Sequence, residues 1–214
     1  MPPLRFERFA PQLRAVVWRG SETREELLDQ LPPAWRLRLP KHPIRVVETL
    51  SARRALLALA PEVIDHPYEK DAHGKPFLPS APDMHFSVSH SHGHASALVS
   101  NRACGVDLQL RVEKITRLRR RFETPAEQAF IVNQPDEIGA LHVLWGAKEA
   151  LFKLYGKREI NWLEHLIVSP FEHSPGGGAF YGRIQKNGVV LEAQLWFRWV
   201  DDYCLVAAGA TSEG

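Results

Sequence analysis

The sequence predicts an α+β fold with two similar lobes, each a helix packed on a small antiparallel sheet, and a ligand site in the cleft between them. The first observation behind this prediction is the order of the elements, because helix followed by strands occurs twice. The second is that the strand-like runs are short and separated by turn residues. We therefore expect an N-terminal lobe at residues 1–102 and a C-terminal lobe at residues 103–214.

The N-terminal lobe is expected to contain two helices and three clear strands. In order, these are a strand at 13–18, helices at 21–31 and 44–61, and strands at 84–91 and 94–100. Ser21 is the expected N-cap of the first helix, and Pro61 ends the second. The last two strands are expected to form a hairpin across Gly93.

The C-terminal lobe is expected to begin with a strand and to contain one long helix. The elements are a strand at 103–110, a helix at 135–156, and strands at 165–171, 179–187, 189–200 and 203–209. Gly-rich and Asn-Gly segments separate these later strands, as in hairpins.

The bulk composition is that of an ordinary globular protein. The chain has 214 residues, of which 44% are hydrophobic and 24% are charged, and its net charge of +2 is too small to indicate nucleic-acid binding. No apolar run reaches the ~18 residues of a membrane span, and no signal peptide is visible, so we expect a cytoplasmic protein without a membrane partner. Cys104 and Cys204 lie in apolar segments and are expected to be buried thiols, although a single disulfide would also fit.

The helix at 135–156 has apolar residues on two faces. Trp145 and Phe152 lie opposite the core stripe, and Glu149 falls between them, one turn before Lys153. Both faces are therefore expected to be covered. Glu149 and Lys153 could form an ordinary solvated i,i+4 pair, worth only ~0.2–0.5 kcal/mol, or they could be placed there for chemistry.

The strand "CGVDLQ" carries an unusual carboxylate. Asp107 and Gln109 share one face of this otherwise apolar strand, and aspartate is disfavoured there unless it has a partner. A solvated edge strand would explain the pattern. The alternative is an oxygen site for Mg²⁺, which prefers one or two carboxylates together with water and phosphate oxygens; Asp107 with Glu149 would provide them.

The segment "HFSVSHSHGHAS" allows three interpretations. Its serines, at positions 87, 89 and 91, could form a plain solvent-exposed face, or their hydroxyls could bind phosphate together with His90. The third interpretation is a zinc-dependent hydrolase that uses His90, His92 and His94, which recur at the period of a strand. Gly93 interrupts that strand, and no acidic residue lies within the run, which argues against zinc.

Two further signals are weak when taken alone. "HGKP" supplies a tight turn with Lys75 and Pro76, and it would otherwise be an ordinary surface turn. The basic residues Arg117, Arg120 and Arg121 would usually form a solvated surface, but they could also dock an acidic partner.

Taken in order, "GKP", "FSVSHS", "GVDLQ" and "WGAKEALFK" resemble the motifs of the 4'-phosphopantetheinyl transferases. The similarity is closest to the two-lobed type that activates carrier proteins of peptide, polyketide and fatty acid synthesis. It implies that coenzyme A binds in the cleft with Mg²⁺ or Mn²⁺ on its pyrophosphate. A serine hydroxyl of an apo carrier protein then attacks the β-phosphate, and 3',5'-ADP leaves.

The resemblance also implies roles for residues at the matching positions. Asp107 and Glu149 would bind the metal, with Glu149 as base and Lys153 steadying the phosphates. The implied contacts to coenzyme A are Lys75, Pro76, Ser89, His90 and, less clearly, Arg53.

The sequence departs from the family pattern at two positions, and a rival function remains. Gln109 stands where many members have Glu, so it is expected to bind the metal weakly or through water, and Ser87 replaces the usual Asn. The expected partners are coenzyme A and an apo acyl or peptidyl carrier protein, and a monomer would suffice. A coenzyme A-binding protein without turnover is the non-enzymatic alternative.

Overall fold

The computed structural model describes residues 4–211 and confirms the α+β class. The first half contains strands β1 (Leu4–Ala10), β2 (Leu13–Arg19), β3 (Glu69–Lys70), β4 (Pro76–Phe77), β5 (His85–Ser91) and β6 (His94–Ser100), with helices α1 (Arg24–Gln30) and α2 (Pro43–Leu59). The second half contains strands β7 (Cys104–Leu110), β8 (Leu166–Val168), β9 (Gly178–Lys186), β10 (Val189–Val200) and β11 (Tyr203–Ala210), with helices α3 (Ile115–Leu118), α4 (Pro125–Ile131) and α5 (Glu137–Tyr155).

The N-terminal lobe is an antiparallel sheet of four strands with the order β1-β2-β6-β5. Strand β2 is buried on both faces. Val16 and Trp18 belong to the core that packs against α2, whereas Ala15 and Val17 belong to a separate core shared with the C-terminal lobe. The predicted hairpin of β5 and β6 is confirmed, with His92 and Gly93 both at positive φ in its turn.

Two predictions for this lobe were incomplete or wrong. Strand β1, which pairs with β2 at the edge of the sheet, was not predicted. Helix α1 is capped by Thr23 and not by Ser21. Thr23 is the N-cap because Glu26 follows it at the N3 position and completes a capping box. Ser21 cannot form this box, because the residue three positions after it is Arg24.

The C-terminal lobe is an antiparallel sheet of five strands with the order β7-β11-β10-β9-β8, covered by α5. Gly105 on β7 lies so close to α5 that a Cβ there would be 1.9 Å from the Ala150 carbonyl oxygen. Only glycine permits this approach. It brings the face of β7 that carries Asp107 and Gln109 against the helix that carries Glu149.

The two lobes meet along β5 and β7. Three serine hydroxyls of β5, those of Ser87, Ser89 and Ser91, accept hydrogen bonds of 3.0, 3.2 and 3.2 Å from the backbone N–H groups of Val106, Leu108 and Leu110. The interpretation of these serines as a plain solvent-exposed face is therefore wrong. The boundary proposed between residues 102 and 103 falls in the segment between β6 and β7 and stays a prediction.

Cys104 and Cys204 are free and buried, as predicted, so the disulfide alternative is excluded. No helix between residues 4 and 211 combines the length and the apolar character that crossing a bilayer requires.

Candidate active site

The Asp107 carboxylate lies at the seam between the lobes and is held from several sides. Its Oδ1 atom accepts hydrogen bonds from the Ser89 hydroxyl at 3.0 Å and from Lys153 Nζ at 2.9 Å. Its Oδ2 atom accepts a hydrogen bond of 3.1 Å from the Gln109 amide nitrogen. Asp107 is buried, so these bonds fix its rotamer and compensate for its removal from water.

Lys153 does not form a surface ion pair with Glu149. Its ammonium donates to Asp107, to the Ser89 hydroxyl and, at 2.8 Å, to the Val106 carbonyl oxygen. These three bonds use all of its hydrogens. The interpretation of Glu149 and Lys153 as an ordinary solvated pair is therefore wrong, because the tertiary structure offers Lys153 a buried carboxylate instead.

Glu149, unlike Asp107, has no hydrogen bonds from the described residues that compensate for its removal from water. Within residues 4–211 it forms no hydrogen bond or ion pair. Burial and the nearby charge of Asp107 raise the pKa of Glu149 to about 7, and Lys153 opposes this only in part. The Lys153 ammonium binds Asp107 and not Glu149, so an additional cation beside the two carboxylates would stabilise the charged form of Glu149.

Aromatic side chains cover the face of α5 around Glu149, as predicted. Trp145 packs against Phe122 and Trp162, with ring centroids 4.9 and 5.0 Å apart, and Phe152 lies 6.0 Å from Trp162. The other face of α5 packs on the C-terminal sheet. Glu149 is thus carried by a helix that is packed on both sides.

The residues present fit a hard divalent cation. Asp107 and Glu149 offer carboxylate oxygens, and Mg²⁺ ordinarily takes one or two carboxylates and completes its coordination with water and phosphate oxygens. Gln109 fits less directly, because its Oε1 atom lies 2.8 Å from His142 Nδ1 while its amide nitrogen faces Asp107. Its role as a weak or water-mediated ligand stays a prediction.

The zinc site of three histidines is not formed. His92 lies in the turn between β5 and β6, whereas His94 stacks on Tyr203 and His90 lies 3.5 Å from the Glu48 carboxylate. In the part of the chain that the structure describes, no three His, Cys, Asp or Glu side chains are placed to bind one metal ion. The zinc-hydrolase interpretation is therefore wrong, because the turn at His92 and Gly93 separates the imidazoles.

A cavity of about 340 Å³ opens beside these groups and is lined by both lobes. Within residues 4–211 it is lined by nine Lys, Arg and His side chains and by no Asp or Glu. They are Arg38, Arg53, Lys70, His73, Lys75, His90, Lys153, Lys157 and Arg158. Such a lining favours a ligand with several negative charges.

Four of the five predicted contact residues line this cavity, namely Arg53, Lys75, Pro76 and His90, whereas Ser89 does not. Lys75 reaches from the β3–β4 turn and donates a 2.7 Å hydrogen bond to the Leu154 carbonyl oxygen near the end of α5. His90 lines the cavity from β5, where burial lowers its pKa although Glu48 opposes the effect. The Arg53 guanidinium is largely buried and donates to the carbonyl oxygens of Trp35 and Leu37.

Comparison with known proteins agrees with this geometry. A family model described as the 4'-phosphopantetheinyl transferase superfamily matches residues 103–208, the part of the chain that carries Asp107, Glu149 and Lys153. The chain belongs to the 4'-phosphopantetheinyl transferase superfamily.

Individual members of the superfamily match over shorter stretches. A 4'-phosphopantetheinyl transferase of Bacillus subtilis is 32% identical over 87 residues, which are 40% of this chain and 39% of that protein. The 4'-phosphopantetheinyl transferase Sfp of Bacillus subtilis strain 168 is 27% identical over 119 residues, which are 50% of this chain and 53% of that protein. The matched stretches thus span from about two fifths to about half of these relatives.

The candidate site and its surroundings also contain residues that the sequence alone did not reveal. Lys157 and Arg158 follow the left-handed C-cap of α5 at Gly156, and their position directly after a helix terminator was the only available signal. Lys148, within the "WGAKEALFK" motif, is fully buried and donates to the Glu127 carboxylate at 2.8 Å. Its role in this structure is to join α4 to α5.

The predicted docking residues lie on the surface. Arg117, Arg120 and Arg121 are exposed in α3 and the turn that follows it. Arg119, in contrast, is bound to Glu123 and Glu137. The carrier-docking role of the three exposed arginines stays a prediction.

Proposed function

We propose that the protein transfers the 4'-phosphopantetheine arm of coenzyme A to a serine of an apo acyl or peptidyl carrier protein, in a Mg²⁺-dependent reaction that releases 3',5'-ADP. The observation that carries the proposal is that Lys153 binds Asp107, which neighbours Glu149, and also lines a cavity that within residues 4–211 has basic side chains and no carboxylate. Coenzyme A has a pyrophosphate and a 3'-phosphate, which match such a cavity in charge.

The basic residues bind and orient the nucleotide. His90 and Lys75 are proposed to contact the phosphates, with Pro76 and Arg53 at the side of the nucleotide pocket. Ser89 was predicted to contact a phosphate as well, yet its hydroxyl already donates to Asp107 and accepts from Leu108 and Lys153. Ser89 is therefore proposed to orient Asp107 and Lys153 and not to contact a phosphate itself.

Asp107 and Glu149 are proposed to hold the metal ion, Mg²⁺ or Mn²⁺. When bound, the ion would neutralise charge on the pyrophosphate, which is the main requirement of phosphoryl transfer. Lys153 lines the cavity and can exchange one of its three hydrogen bonds for a phosphate oxygen.

The transfer exchanges one phosphorus–oxygen bond for another. The serine oxygen of the carrier bonds to the β-phosphorus, and the bond from that phosphorus to the bridging oxygen breaks, so that 3',5'-ADP leaves with the electron pair. The serine proton goes to the Glu149 carboxylate, directly or through a water molecule. Glu149 forms no hydrogen bond or ion pair within residues 4–211, so its carboxylate oxygens are available for this task.

The carrier is proposed to approach the exposed arginines 117, 120 and 121, because carrier proteins of this kind are generally acidic. One chain provides both lobes of the cleft, so a monomer would suffice. We place the protein in the cytoplasm, and its two free cysteines support a reducing compartment.

The deciding experiment incubates the protein with coenzyme A, Mg²⁺ and a panel of apo carrier proteins, followed by mass spectrometry. The expected result is a carrier that gains one phosphopantetheine arm, with an equal amount of 3',5'-ADP released. Glu149→Gln should abolish the gain, whereas Glu164→Gln, at an exposed position, should not. Binding of coenzyme A without transfer to any carrier would support the non-enzymatic alternative.

A further inference from the structure

His142 on α5 is a buried imidazole two turns before Glu149, and both of its ring nitrogens are engaged. Nε2 lies 3.0 Å from the Val112 backbone nitrogen and 3.1 Å from the Val112 carbonyl oxygen, and Nδ1 lies 2.8 Å from the Gln109 Oε1 atom. The ring therefore connects α5 to β7 and to the residues that directly follow it.

The contact with Gln109 places a proton on one ring nitrogen. An amide oxygen can only accept, so Nδ1 carries a proton, whereas Nε2 has both the N–H and the carbonyl oxygen of Val112 beside it. Nδ1–H then donates to Gln109 Oε1, which fixes the orientation of the Gln109 amide. The Gln109 nitrogen consequently faces Asp107 Oδ2 at 3.1 Å and the His142 carbonyl oxygen at 3.2 Å.

The helix leaves room for this arrangement at Gly146. A Cβ there would lie 3.1 Å from the Gln109 amide nitrogen and 2.7 Å from a methyl group of Val206, so a larger residue would press on both. The Gln109 side chain is thus enclosed between β7, β11 and α5.

We infer that His142 is a positioning residue that acts through Gln109 on the Asp107 carboxylate; this inference rests on the proposed function. Ser89 and Lys153 both bind Oδ1 of Asp107, whereas Oδ2 has Gln109 as its protein donor within residues 4–211. A reversed Gln109 amide would place an oxygen against Oδ2 and turn the carboxylate. The Nδ1–H of His142 opposes this reversal together with the His142 carbonyl oxygen, which accepts from the Gln109 nitrogen, so Asp107 presents its oxygens to the cation in one orientation.

Two substitutions of His142 separate this role from a merely structural one. Asparagine can place an amide nitrogen near the position of Nδ1 and keep the donor to Gln109, but it does not reach Val112. Glutamine reaches the position of Nε2 and can pair with Val112, but it lacks the donor at the Nδ1 position. A structural role predicts rescue by glutamine, whereas positioning through Gln109 predicts rescue by asparagine.

The measurement is Mn²⁺ binding by electron paramagnetic resonance, with coenzyme A present and no carrier protein. His142→Gln is expected to weaken Mn²⁺ binding roughly three- to tenfold, as the loss of one hydrogen bond to the site would, whereas His142→Asn stays within about twofold of wild type. Binding of coenzyme A without metal should change in neither variant. In a Gln109→Leu background, His142→Gln should have no further effect.

Equal Mn²⁺ affinity in wild type and His142→Gln, or rescue by glutamine and not by asparagine, would overturn the inference while leaving the proposed function intact. If the His142 variants do not fold, Gln109→Leu alone must show the same three- to tenfold loss, and an unchanged affinity there overturns it equally. Wild-type protein that binds Mn²⁺ but transfers nothing contradicts the proposed function instead. Wild-type protein that binds no Mn²⁺ contradicts both.

Discussion

Replacing Glu149 by glutamine is expected to stabilise the metal-free protein at neutral and alkaline pH. Burial and Asp107 raise the pKa of Glu149 from its ordinary value of 4.5 to about 7. The folded state therefore binds this proton more tightly than the unfolded state does. The free energy of unfolding of wild type loses this contribution as the pH rises from about 4.5 through 7, whereas glutamine has no proton to lose.

The difference between the ordinary Glu149 pKa of 4.5 and its pKa of about 7 in the folded protein sets the size of the change in stability. At 1.36 kcal/mol per pH unit, it corresponds to about 3 kcal/mol when the pH is well above 7. The difference in stability between Glu149→Gln and wild type should be smallest at pH 4.5 and should rise to a plateau above pH 7. This is a large fraction of the stability of an ordinary domain.

The assay is urea unfolding in excess chelator, followed by circular dichroism at several pH values between 4.5 and 8.5. Glu164→Gln is the matched control, because Glu164 is exposed, and its difference from wild type should not follow pH in this way. An Asp107→Asn background should reduce the effect, since it removes the neighbouring negative charge. A difference that stays flat with pH, or a Glu149→Gln protein that is less stable than wild type at pH 8, would refute the reasoning.

Further predictions concern activity. Excess chelator should abolish transfer and Mg²⁺ or Mn²⁺ should restore it; full activity in chelator would contradict the metal site. His90→Ala should weaken the use of coenzyme A roughly ten- to a hundredfold, but not that of dephospho-coenzyme A, and an equal loss with both would place His90 elsewhere. Reversing the charges of Arg120 and Arg121 should slow transfer at low salt and matter little at ~1 M salt; a defect independent of salt would exclude steering. Gln109→Ala should lower the transfer rate by the equivalent of about 0.5–1.5 kcal/mol, the value of one hydrogen bond. Asp107→Ala should lower the rate on the order of a hundredfold or more. Equal losses in the two variants would show that Gln109 is an essential ligand.

The order of helices and strands was predictable because most elements have a clear hydrophobic period and clear terminators. Helix α5 illustrates this, since its two apolar faces predicted that both would be covered. Strand β1 was missed because an edge strand buries little, and Phe6 within it is exposed.

The pairing of the charged groups could not be predicted from local spacing. Glu149 and Lys153 are neighbours on the same helix, yet Lys153 binds Asp107 from another element. A buried carboxylate with hydrogen bonds from several sides is a stronger partner than a partly exposed one on the same helix. Asp107 can compete with Glu149 for Lys153 only when β7 packs against α5, and local sequence spacing does not predict that packing.

His142 gave no signal in the sequence for a related reason. A single histidine within an apolar helix is usually a satisfied core residue, and nothing in the spacing connects it with Gln109, thirty-three residues earlier. The connection arises from the close approach of β7 and α5 that Gly105 permits.

The serine row on β5 explains why the site can be assembled from two lobes without being loose. In an ordinary sheet, the backbone N–H groups of β7 would donate to carbonyl oxygens of a neighbouring strand. Here they donate to the serine hydroxyls of β5, so side chains take the place of backbone acceptors along the seam. The shared core that includes Val17, Val106 and Leu205 lies behind it and buries further apolar surface. Separating the lobes at the seam would expose that core and would break the bond from Ser89 to Asp107. If the proposed function holds, the nucleotide therefore enters through the basic cavity beside the seam, and Asp107 is already oriented when its phosphates arrive.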